Sequence, residues 1–250
     1  MSADRVWGRN PVCELLKSGG RRVDEVAVLA GGRGPLAEVV ALARRAGVKV
    51  SYRTREQLTA IAGTDRHQGV VARVAAGEYV EMDALLEIAA ERGEAPFLLA
   101  LDQVQDPRNF GAILRTAEAF GAHGVIVGKH HQVGLTGAAA HVAMGAAEYL
   151  PVARVTNVVS ALETVKKSGV WIYGSTASNG VSLWASDLTG PLCLVLGSEG
   201  EGLRPLVART CDVLVTIPMA GRIGSLNVAA AAGVLCYEVA RQRRLKSQTP

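Results

Sequence analysis

The sequence predicts an α/β protein whose main sheet is mostly parallel. Aliphatic residues supply most of its apolar mass, since 49% of the 250 residues are hydrophobic but only 4% are aromatic. Short apolar runs typical of strands alternate with amphipathic stretches typical of helices along most of the chain. Strands that alternate with helices are usually joined by crossovers, which give parallel strands with helices on both faces. The composition also favours this class over a β-sandwich.

The first 76 residues predict a compact βαβαβ-type unit. Thr54 and Gln57 have the spacing of a capping box, in which two side chains satisfy backbone N–H groups at the start of a helix. A unit of about 75 residues is large enough to form a small domain. The predicted strands are 23–30, 48–53 and 67–75, and the predicted helices are 35–47 and 54–63.

Residues 77–95 predict an acidic linker, and residues 96–250 predict a second, larger domain. The linker holds six acidic residues and one arginine. In parallel sheets ligands bind beyond the carboxyl ends of the strands, and the chemically distinctive stretches of this domain follow predicted strands. These stretches are 102–109, 197–202 and 218–227, and the predicted strands are 97–104, 124–129, 171–176, 193–198 and 213–219.

The net charge of +4 is unevenly distributed. Residues 1–76 carry 13 Lys and Arg against 7 Asp and Glu, a net charge of +6. A basic unit of this kind favours a polyanion as partner. Solubilising charge on exposed helix faces explains the same count, so composition alone leaves both interpretations open.

The chain carries no sign of secretion, membrane insertion or metal binding. Its first ten residues have no apolar segment of a signal peptide. The longest apolar run, 228–237, is shorter than the roughly 20 residues that span a bilayer. Four cysteines lie far apart in the sequence and form no C-x-x-C pair. We therefore expect a soluble cytoplasmic protein with reduced thiols, no membrane partner and no metal.

Several common catalytic and nucleotide-binding motifs are missing. The sequence contains neither the G-x-G-x-x-G fingerprint of dinucleotide-binding folds nor the phosphate-binding P-loop. It also lacks the H-E-x-x-H zinc motif and the G-x-S-x-G nucleophile elbow. These absences argue against the common hydrolase, NTPase and dehydrogenase classes.

The stretch DPRNFGAILRTAEAFG (106–121) predicts an amphipathic helix with a polar, cationic face. Asp106 is a suitable N-cap, and Pro107 suits the first helical turn. Helical spacing places Arg108, Gly111 and Arg115 together, with Gly111 leaving room for a ligand near the backbone. An ordinary solvent face, with Arg115 paired to the glutamate three residues later, is the alternative. The apolar stripe is Phe110, Ile113, Leu114, Ala117 and Phe120.

The stretch LVLGSEGEGL (194–203) predicts a strand followed by a tight glycine-rich loop. Gly197, Gly200 and Gly202 would let the backbone pack against a flat ligand. Glu199 within this loop could accept hydrogen bonds from hydroxyl or amine groups. Glycine-rich turns after strands are frequent, so this motif alone has low specificity.

The stretch IPMAGRIGSLNVAAAAGVLCYE (217–238) predicts a loop that leads into a helix of small residues. Ser225 is the expected N-cap of that helix. The alanines at 229–232 permit close packing against another backbone. Asn227 is predicted to be buried, and a buried amide needs hydrogen-bond partners.

Together these three stretches resemble the SpoU (TrmH-like) class of SPOUT RNA methyltransferases, over residues 96–245. The N-terminal stretches GRNPVCELL (8–16) and RHQGVVARV (66–74) are similar to the substrate-binding extension of the 23S ribosomal RNA guanosine 2′-O-methyltransferase subgroup. The resemblance implies an α/β-knot fold with a deep trefoil knot involving residues 193–230. It also implies a homodimer and a small N-terminal α/β RNA-binding domain like that of a ribosomal protein.

The resemblance further implies S-adenosylmethionine as cofactor and 23S ribosomal RNA as substrate, with no metal. The implied cofactor-binding residues are Gly197, Ile217 and Leu226, with Glu199, Gly200, Gly202, Met219 and Ser225. The implied catalytic residues are Asn109, Arg115, Glu199, Ser225 and Asn227. The residues expected to bind RNA are Arg9, Arg66, Arg108 and Arg115.

The role of Arg115 has two interpretations. The family proposal makes it the base that deprotonates a ribose 2′-hydroxyl, but a guanidinium is a weak proton acceptor. We prefer Arg115, with Asn109, as the group that binds the target phosphate and stabilises the forming alkoxide. Residues 135–152 depart from the family pattern at His141 and Ala143, which bears on nucleotide choice. A tRNA or antibiotic-resistance-site rRNA methyltransferase and a non-catalytic assembly factor remain alternatives.

Overall fold

The computed structural model describes residues 4–32, 34–75, 77–130 and 132–248. In chain order the elements are β1 (Asp4–Trp7), α1 (Arg9–Ser18), β2 (Val23–Leu29), α2 (Pro35–Arg45), β3 (Lys49–Arg53), α3 (Arg55–Ala62), β4 (Val70–Val74), α4 (Met82–Glu91), β5 (Phe97–Leu101), α5 (Pro107–Ala119), β6 (Gly124–Gly128), α6 (Gly137–Ala143), β7 (Val152–Val155), α7 (Val158–Lys167), β8 (Trp171–Ser175), β9 (Val181–Ser182), β10 (Leu192–Leu196), α8 (Pro205–Thr210), β11 (Val213–Thr216) and α9 (Val228–Gln248). Single 3₁₀ turns occur at Ala146–Glu148 and Leu183–Ala185.

The chain divides into two compact units. The N-terminal unit runs to Glu78 and also includes Gly134–Tyr149, whereas the C-terminal unit comprises Tyr79–Val133 and the chain from Leu150 onwards. The segment 134–149 therefore packs with residues far from it in the sequence, a grouping that local patterns do not reveal.

The N-terminal unit is a four-stranded sheet in the order β1-β4-β2-β3. Strand β4 pairs antiparallel with both β1 and β2, while β2 and β3 are parallel. Helices α1 and α2 cover one face, and α3 packs on part of the other. The capping box predicted for Thr54 and Gln57 is present at the start of α3.

The segment 134–149 completes the N-terminal unit. Ala140 on α6 joins the core beneath α1 and α2. His141 stacks on Trp7 with ring centroids 5.3 Å apart, and its Nδ1–H donates to the Trp7 carbonyl at 2.8 Å. Glu148 pairs with Arg21 at 2.6 Å, with both side chains largely buried. The departure from the family pattern at His141 therefore has a structural partner in Trp7.

The C-terminal unit is a seven-stranded, wholly parallel sheet in the order β7-β6-β5-β10-β8-β11-β9. Parallel pairing requires crossover connections, as the alternation of elements predicts. Helices α4, α7 and α8 contribute Leu85, Leu162 and Val207 to the core on one face. Helix α9 packs on β10 and against α5. The predicted α/β class with a mostly parallel sheet is confirmed.

Residues 77–95 contribute more than a connection between domains. Their helix α4 buries Leu85 and Ala89 completely and contacts β6 and β7. The acidic residues occupy the exposed face of this helix, so charge counting alone concealed its apolar stripe.

The described part of the chain contains no helix that is both long enough and apolar enough to cross a membrane. All four cysteines are free, as expected, and Cys13, Cys193 and Cys236 are buried. Burial raises the pKa of Cys236 to about 12, so this thiol stays protonated and unreactive at neutral pH.

Candidate active site

Helix α5 carries the first group of predicted site residues. Asp106 caps it as predicted, because Asp106 Oδ1 accepts a hydrogen bond from the Arg108 backbone N–H at 2.8 Å, and Pro107 lies in the first turn. The Asp106 carboxylate also pairs with the Arg108 guanidinium at 2.7 Å. Hydrogen bonds from Arg108 hold the pKa of Asp106 below its usual value. The Arg108 side chain is 83% exposed, so this pair lies in solvent.

The two faces of α5 differ in part from the prediction. Phe110, Ile113, Leu114 and Ala117 are buried as expected, but Gly111 is buried too instead of lying on the exposed face. Because α5 packs against α9, its buried surface is wider than the predicted stripe. Arg115 is exposed and forms neither a hydrogen bond nor a salt bridge with any described residue, so the intrahelical pair of the alternative interpretation does not form.

The loop after β10 has the tight geometry that its glycines predict. Ser198 and Gly202 exchange two backbone hydrogen bonds, each 3.1 Å long. Gly200 and Gly202 have φ angles of +96° and +70°, which favour glycine. A β-carbon on Gly197 would collide with the backbone of Gly202 and Leu203. The loop folds back on itself so closely that only glycine fits at its start.

Asp102 anchors this glycine loop from the neighbouring strand. It lies just after β5, is 1% exposed, and donates its backbone N–H to the Leu196 carbonyl at 2.8 Å. Its carboxylate accepts hydrogen bonds from the Arg204 backbone N–H at 2.9 Å and from Arg204 Nε at 2.7 Å. Both ends of the loop are thereby tied to one buried acid. The sequence placed Asp102 near the site but did not predict this role.

Three predicted catalytic residues form a hydrogen-bonded chain. Asn227 Oδ1 caps α9 by accepting from the backbone N–H groups of Ala229 at 2.9 Å and Ala230 at 3.4 Å. Its Nδ2 then donates to Asn109 Oδ1 at 3.1 Å, and Asn109 Nδ2 donates to Glu199 Oε1. Helix N–H groups can only donate, so they set the direction of every bond in the chain. Glu199 is therefore the terminal acceptor.

Two predictions about the start of α9 are wrong. Ser225 is not the N-cap, because the helix begins at Val228 and Asn227 supplies the capping oxygen. Asn227 is also exposed rather than buried. The expected hydrogen-bond partners of Asn227 are nevertheless present, since Asn109 lies beside it where α5 packs against α9. An apolar run after the residue made it appear buried in the sequence.

A cavity of about 620 Å³ opens at the carboxyl ends of β8, β10 and β11. All eight residues predicted to bind the cofactor line it, namely Gly197, Glu199, Gly200, Gly202, Ile217, Met219, Ser225 and Leu226. Asn227 lines it as well. Two predicted stretches that are distant in the sequence, 197–202 and 217–227, thus line one cavity, and Asn109 of the third stretch joins them through its hydrogen bonds, as expected for a parallel sheet.

Sequence reasoning missed one wall of the cavity. Ser175, the last residue of β8, and the next three residues, Thr176, Ala177 and Ser178, line it. The Thr176 hydroxyl donates to the Ser178 carbonyl at 2.9 Å, so this loop is ordered by its own side chain. A signal was present, because the stretch spans the end of a predicted strand and is rich in hydroxyl groups.

Arg9 and Arg66, predicted to bind RNA, both belong to the N-terminal unit. The Arg9 backbone N–H donates to Gln68 Oε1 at 3.0 Å, and Arg66 is exposed two residues before Gln68. Gly8 donates to the Val70 carbonyl at 3.2 Å. The structure therefore brings the two N-terminal motif stretches together at the start of α1.

The described residues contain no cluster of His, Cys, Asp or Glu side chains that could hold a metal ion. The candidate site instead consists of amides, one carboxylate, hydroxyl groups and glycines around a concave space. Such a site suits a flat organic ligand with hydroxyl groups.

Sequence comparison agrees with this geometry. Residues 96–237 match the family described as the SpoU rRNA Methylase family, and residues 5–80 match that described as RNA 2′-O ribose methyltransferase substrate binding. The chain belongs to the SpoU rRNA methylase family. It is an RNA ribose 2′-O-methyltransferase, as the resemblance of its motifs predicts.

Relatives of this SpoU methylase match over nearly the whole chain. The TrmH family tRNA/rRNA methyltransferase YacO of Bacillus subtilis is 45% identical over 240 residues, covering 96% of each chain. The 23S rRNA (guanosine-2′-O-)-methyltransferase RlmB of Ralstonia nicotianae is 44% identical over 238 residues, covering 94% of each. The AdoMet-bound rRNA methyltransferase of Sinorhizobium meliloti superposes with a TM-score of 0.77 at 27% identity, covering 96% of this chain and 87% of that one.

Proposed function

We propose that this protein transfers a methyl group from S-adenosylmethionine to the ribose 2′-hydroxyl of a guanosine in 23S ribosomal RNA, in the cytoplasm. The observation that carries the proposal is the directed chain from Asn227 through Asn109 to Glu199, at the edge of the cavity. Several relatives that match almost end to end are named as 23S rRNA guanosine 2′-O-methyltransferases. The same motifs and the same two family matches support this substrate class.

The cavity fits the cofactor by size and by chemistry. About 620 Å³ lies within the usual range for sites of small organic ligands. Gly197 lines the cavity, and a β-carbon there would collide with the backbone of Gly202 and Leu203. This part of the wall therefore consists of main-chain groups, which can contact an adenine or a ribose. S-adenosylmethionine supplies an electrophilic methyl group when bound. The residues that would hold it are Gly197, Glu199, Gly200, Gly202, Ile217, Met219, Ser225 and Leu226.

Glu199 and Asn109 act as a fixed acceptor and the group that orients it. One carboxylate oxygen of Glu199 is occupied by the Asn109 amide. The other oxygen has no such restraint and can accept a hydrogen bond from a hydroxyl or an amine at the cavity edge. Because Asn227 is itself held by two helix N–H groups, the orientation of Asn109 does not need to be established during the reaction.

Arg115 supplies positive charge for the RNA. Its guanidinium is exposed and has no partner among the described residues, so it can bind a phosphate with two parallel hydrogen bonds. Methyl transfer would form an O–CH₃ bond as the sulfonium S–CH₃ bond breaks, and the hydroxyl proton would pass to water, so negative charge develops on that oxygen as its proton leaves. A guanidinium nearby stabilises this charge without having to take the proton. Ser225 completes the proposed catalytic set as a hydroxyl on the cavity wall.

Arg9, Arg66 and Arg108 are proposed to contact the RNA backbone. Arg66 and Arg108 are exposed, and the Arg9 side chain is partly exposed at the start of α1. Arg108 is bound to Asp106, so RNA must compete with this surface pair or share it. The Arg108 contribution should therefore be smaller than that of Arg115.

We also propose that the protein is a homodimer. Helix α9 exposes Val234 by 39% and Tyr237 by 54%, and the Tyr237 ring meets Phe120 of α5 edge-on at 5.9 Å. Exposed apolar side chains that lie together on one helix mark a candidate protein interface. Light scattering should give the mass of a dimer, and Tyr237→Glu should shift it towards a monomer. A monomeric wild type would remove this part of the proposal.

Mapping 2′-O-methylation across the rRNA and tRNA of a strain with and without the gene tests the function. We expect the loss of one 23S rRNA guanosine methylation. Loss of a tRNA methylation instead would keep the chemistry and change the substrate. Calorimetry with purified protein and S-adenosylmethionine tests the cofactor independently, and no binding heat at millimolar ligand would refute it.

A further inference from the structure

One face of the N-terminal sheet is only half covered. Helix α3 packs over Trp7, Val71 and Ala27, which form one row across β1, β4 and β2. Side chains two positions apart on a strand share a face of the sheet. Two positions away on one side lie Arg5, Arg73 and Glu25, which form the next row on this face, and none of these three residues belongs to the core under α3.

The next row consists almost entirely of charged residues. The strand register pairs Arg5 with Arg73, Arg73 with Glu25, and Glu25 with Lys49. Arg5, Arg73 and Lys49, hereafter the basic row, are all exposed, whereas the Glu25 side chain is only 16% exposed. With strands about 4.8 Å apart, the row spans about 14 Å across four strands.

The charges in this row do not balance. Like charges directly opposite each other on neighbouring strands are unfavourable, and Arg5 lies opposite Arg73. Glu25 approaches Arg73 at 4.0 Å and Arg53 at 3.6 Å, so one carboxylate is shared between cations. The side chains of Arg5 and Lys49 form no hydrogen bond or salt bridge with any described residue.

Two other arginines of the same unit are paired with acids. Arg21 pairs with Glu148 and approaches Asp4, and Arg22 pairs with Asp24 at 3.1 Å. The basic row is set apart because three exposed cations share one row of the sheet around a single acid. Hydrogen bonding from Ser51 and the nearby cations keep the pKa of Glu25 low, so it remains the only negative charge in the row.

We propose that the basic row binds the phosphate backbone of the RNA substrate, a role that rests on the proposed function. Three cations in one row across a sheet match a linear array of phosphates, and each of the two guanidinium groups can bind one phosphate with two hydrogen bonds. The row itself has no aromatic side chain, and the adjacent Trp7 is stacked on His141. The surface therefore positions RNA without reading its bases.

RNA is favoured over other polyanions because residues 5–80 match a family described as binding RNA methyltransferase substrates. The basic row lies inside this range, and its members Arg5 and Lys49 fall outside the motif stretches 8–16 and 66–74, whereas Arg73 lies within the second stretch. On β4, Arg73 lies three residues beyond Val70, whose carbonyl accepts from Gly8 at the start of α1, so the row crosses the sheet away from the Arg9 and Arg66 region.

The test neutralises the row in the full-length protein by Arg5→Gln, Arg73→Gln and Lys49→Gln together. A matched control neutralises three exposed arginines elsewhere in the unit, by Arg22→Gln, Arg44→Gln and Arg45→Gln. Binding to deproteinised 23S rRNA is measured between about 0.05 and 0.3 M KCl, so that the slope of log affinity against log salt concentration can be determined. We expect the row variant to bind at least about tenfold more weakly, with a salt slope reduced by about 2.

Glu25→Gln should change RNA affinity in the opposite direction. Removing the one acid should tighten RNA binding severalfold and steepen the salt dependence. Calorimetry with S-adenosylmethionine should give the wild-type affinity for all three variants, and circular dichroism should give melting temperatures close to that of the wild type. A second row variant with Arg5→Lys and Arg73→Lys keeps the charge and should retain most binding.

A row variant that binds RNA as tightly as the matched control overturns the inference. So does loss of binding to phosphatidylglycerol vesicles with unchanged binding to RNA, which would assign the surface to a membrane. Failure of the proposed function gives a different result. The wild-type protein would then leave 23S rRNA unmethylated, but the row variant would still bind RNA more weakly than the matched control.

Discussion

The active site and the basic row hold their polar groups in opposite ways. At the active site, Asn227, Asn109 and Glu199 are joined in one directed chain that starts from helix N–H groups. On the basic row, Arg5 and Lys49 have no partner among the described residues. Methyl transfer requires one geometry, so its groups are oriented in advance. Phosphate binding requires charge that can adapt, so its groups are left uncompensated.

Arg115 is the active-site residue that most resembles the basic row, and its removal should have the largest effect. We expect Arg115→Ala to lower turnover at least about a hundredfold, because charge on the forming alkoxide loses its stabiliser. Cofactor binding measured by calorimetry should not change, since Arg115 does not line the cavity. Arg115→Lys should recover part of the activity, as a single ammonium replaces the forked guanidinium. Turnover within tenfold of the wild type for Arg115→Ala would remove it from the catalytic set.

The glycine loop should respond nearly as strongly. Gly197→Ala places a β-carbon against the backbone of Gly202 and Leu203, so the loop must open and cofactor affinity should fall at least about tenfold. Gly200→Ala is the matched control, because its φ of +96° costs about 1–2 kcal/mol but no atom lies within 4 Å of the new carbon. Calorimetry and thermal melting separate the two effects. Equal losses of affinity in both variants would refute the collision as the cause.

Asn227 allows orientation to be separated from stability. Asn227→Asp keeps an oxygen to cap α9 but cannot donate to Asn109, so turnover should fall about tenfold while the melting temperature changes little. Asn227→Ala loses both roles and should also cost about 1 kcal/mol of stability. If Asn227→Asp were fully active, the directed chain would have no part in catalysis.

The smallest expected effect is the pH dependence of stability that one buried histidine contributes in each unit. Burial holds the pKa values of His67 and His123 below their usual value. The unfolded chain therefore takes up protons at a higher pH than the folded protein does. The two neutral histidines make their full contribution to the free energy of unfolding above the pKa that they have in the unfolded chain. This contribution is lost as the pH falls through the pKa that they have in the folded protein. Melting temperatures should drop between about pH 7 and pH 5, and His123→Asn should show a weaker dependence.

Much of the candidate site could be predicted because its signals are local. Asp106 and Thr54 cap their helices through residues two or three positions away, and positive φ at Gly200 and Gly202 is a property of single residues. The cavity lining was predicted because the motif stretches follow strands whose carboxyl ends meet at one edge. The cap of α9 was misassigned to Ser225, since both it and Asn227 suit that position and only the helix start decides between them.

The sequence by itself determined the fold class, the order of the elements, the three motifs and the family. The fold class and the alternation of strands and helices depend on composition and periodicity, which act over a few neighbours, whereas the family follows from the resemblance of the three motifs. Only the tertiary structure decided that Asn109 meets Glu199 and Asn227, that segment 134–149 belongs to the N-terminal unit, and that Arg5, Arg73 and Lys49 share one row. Each of these depends on strand register or helix packing between residues far apart in the chain, where sequence spacing sets no distance.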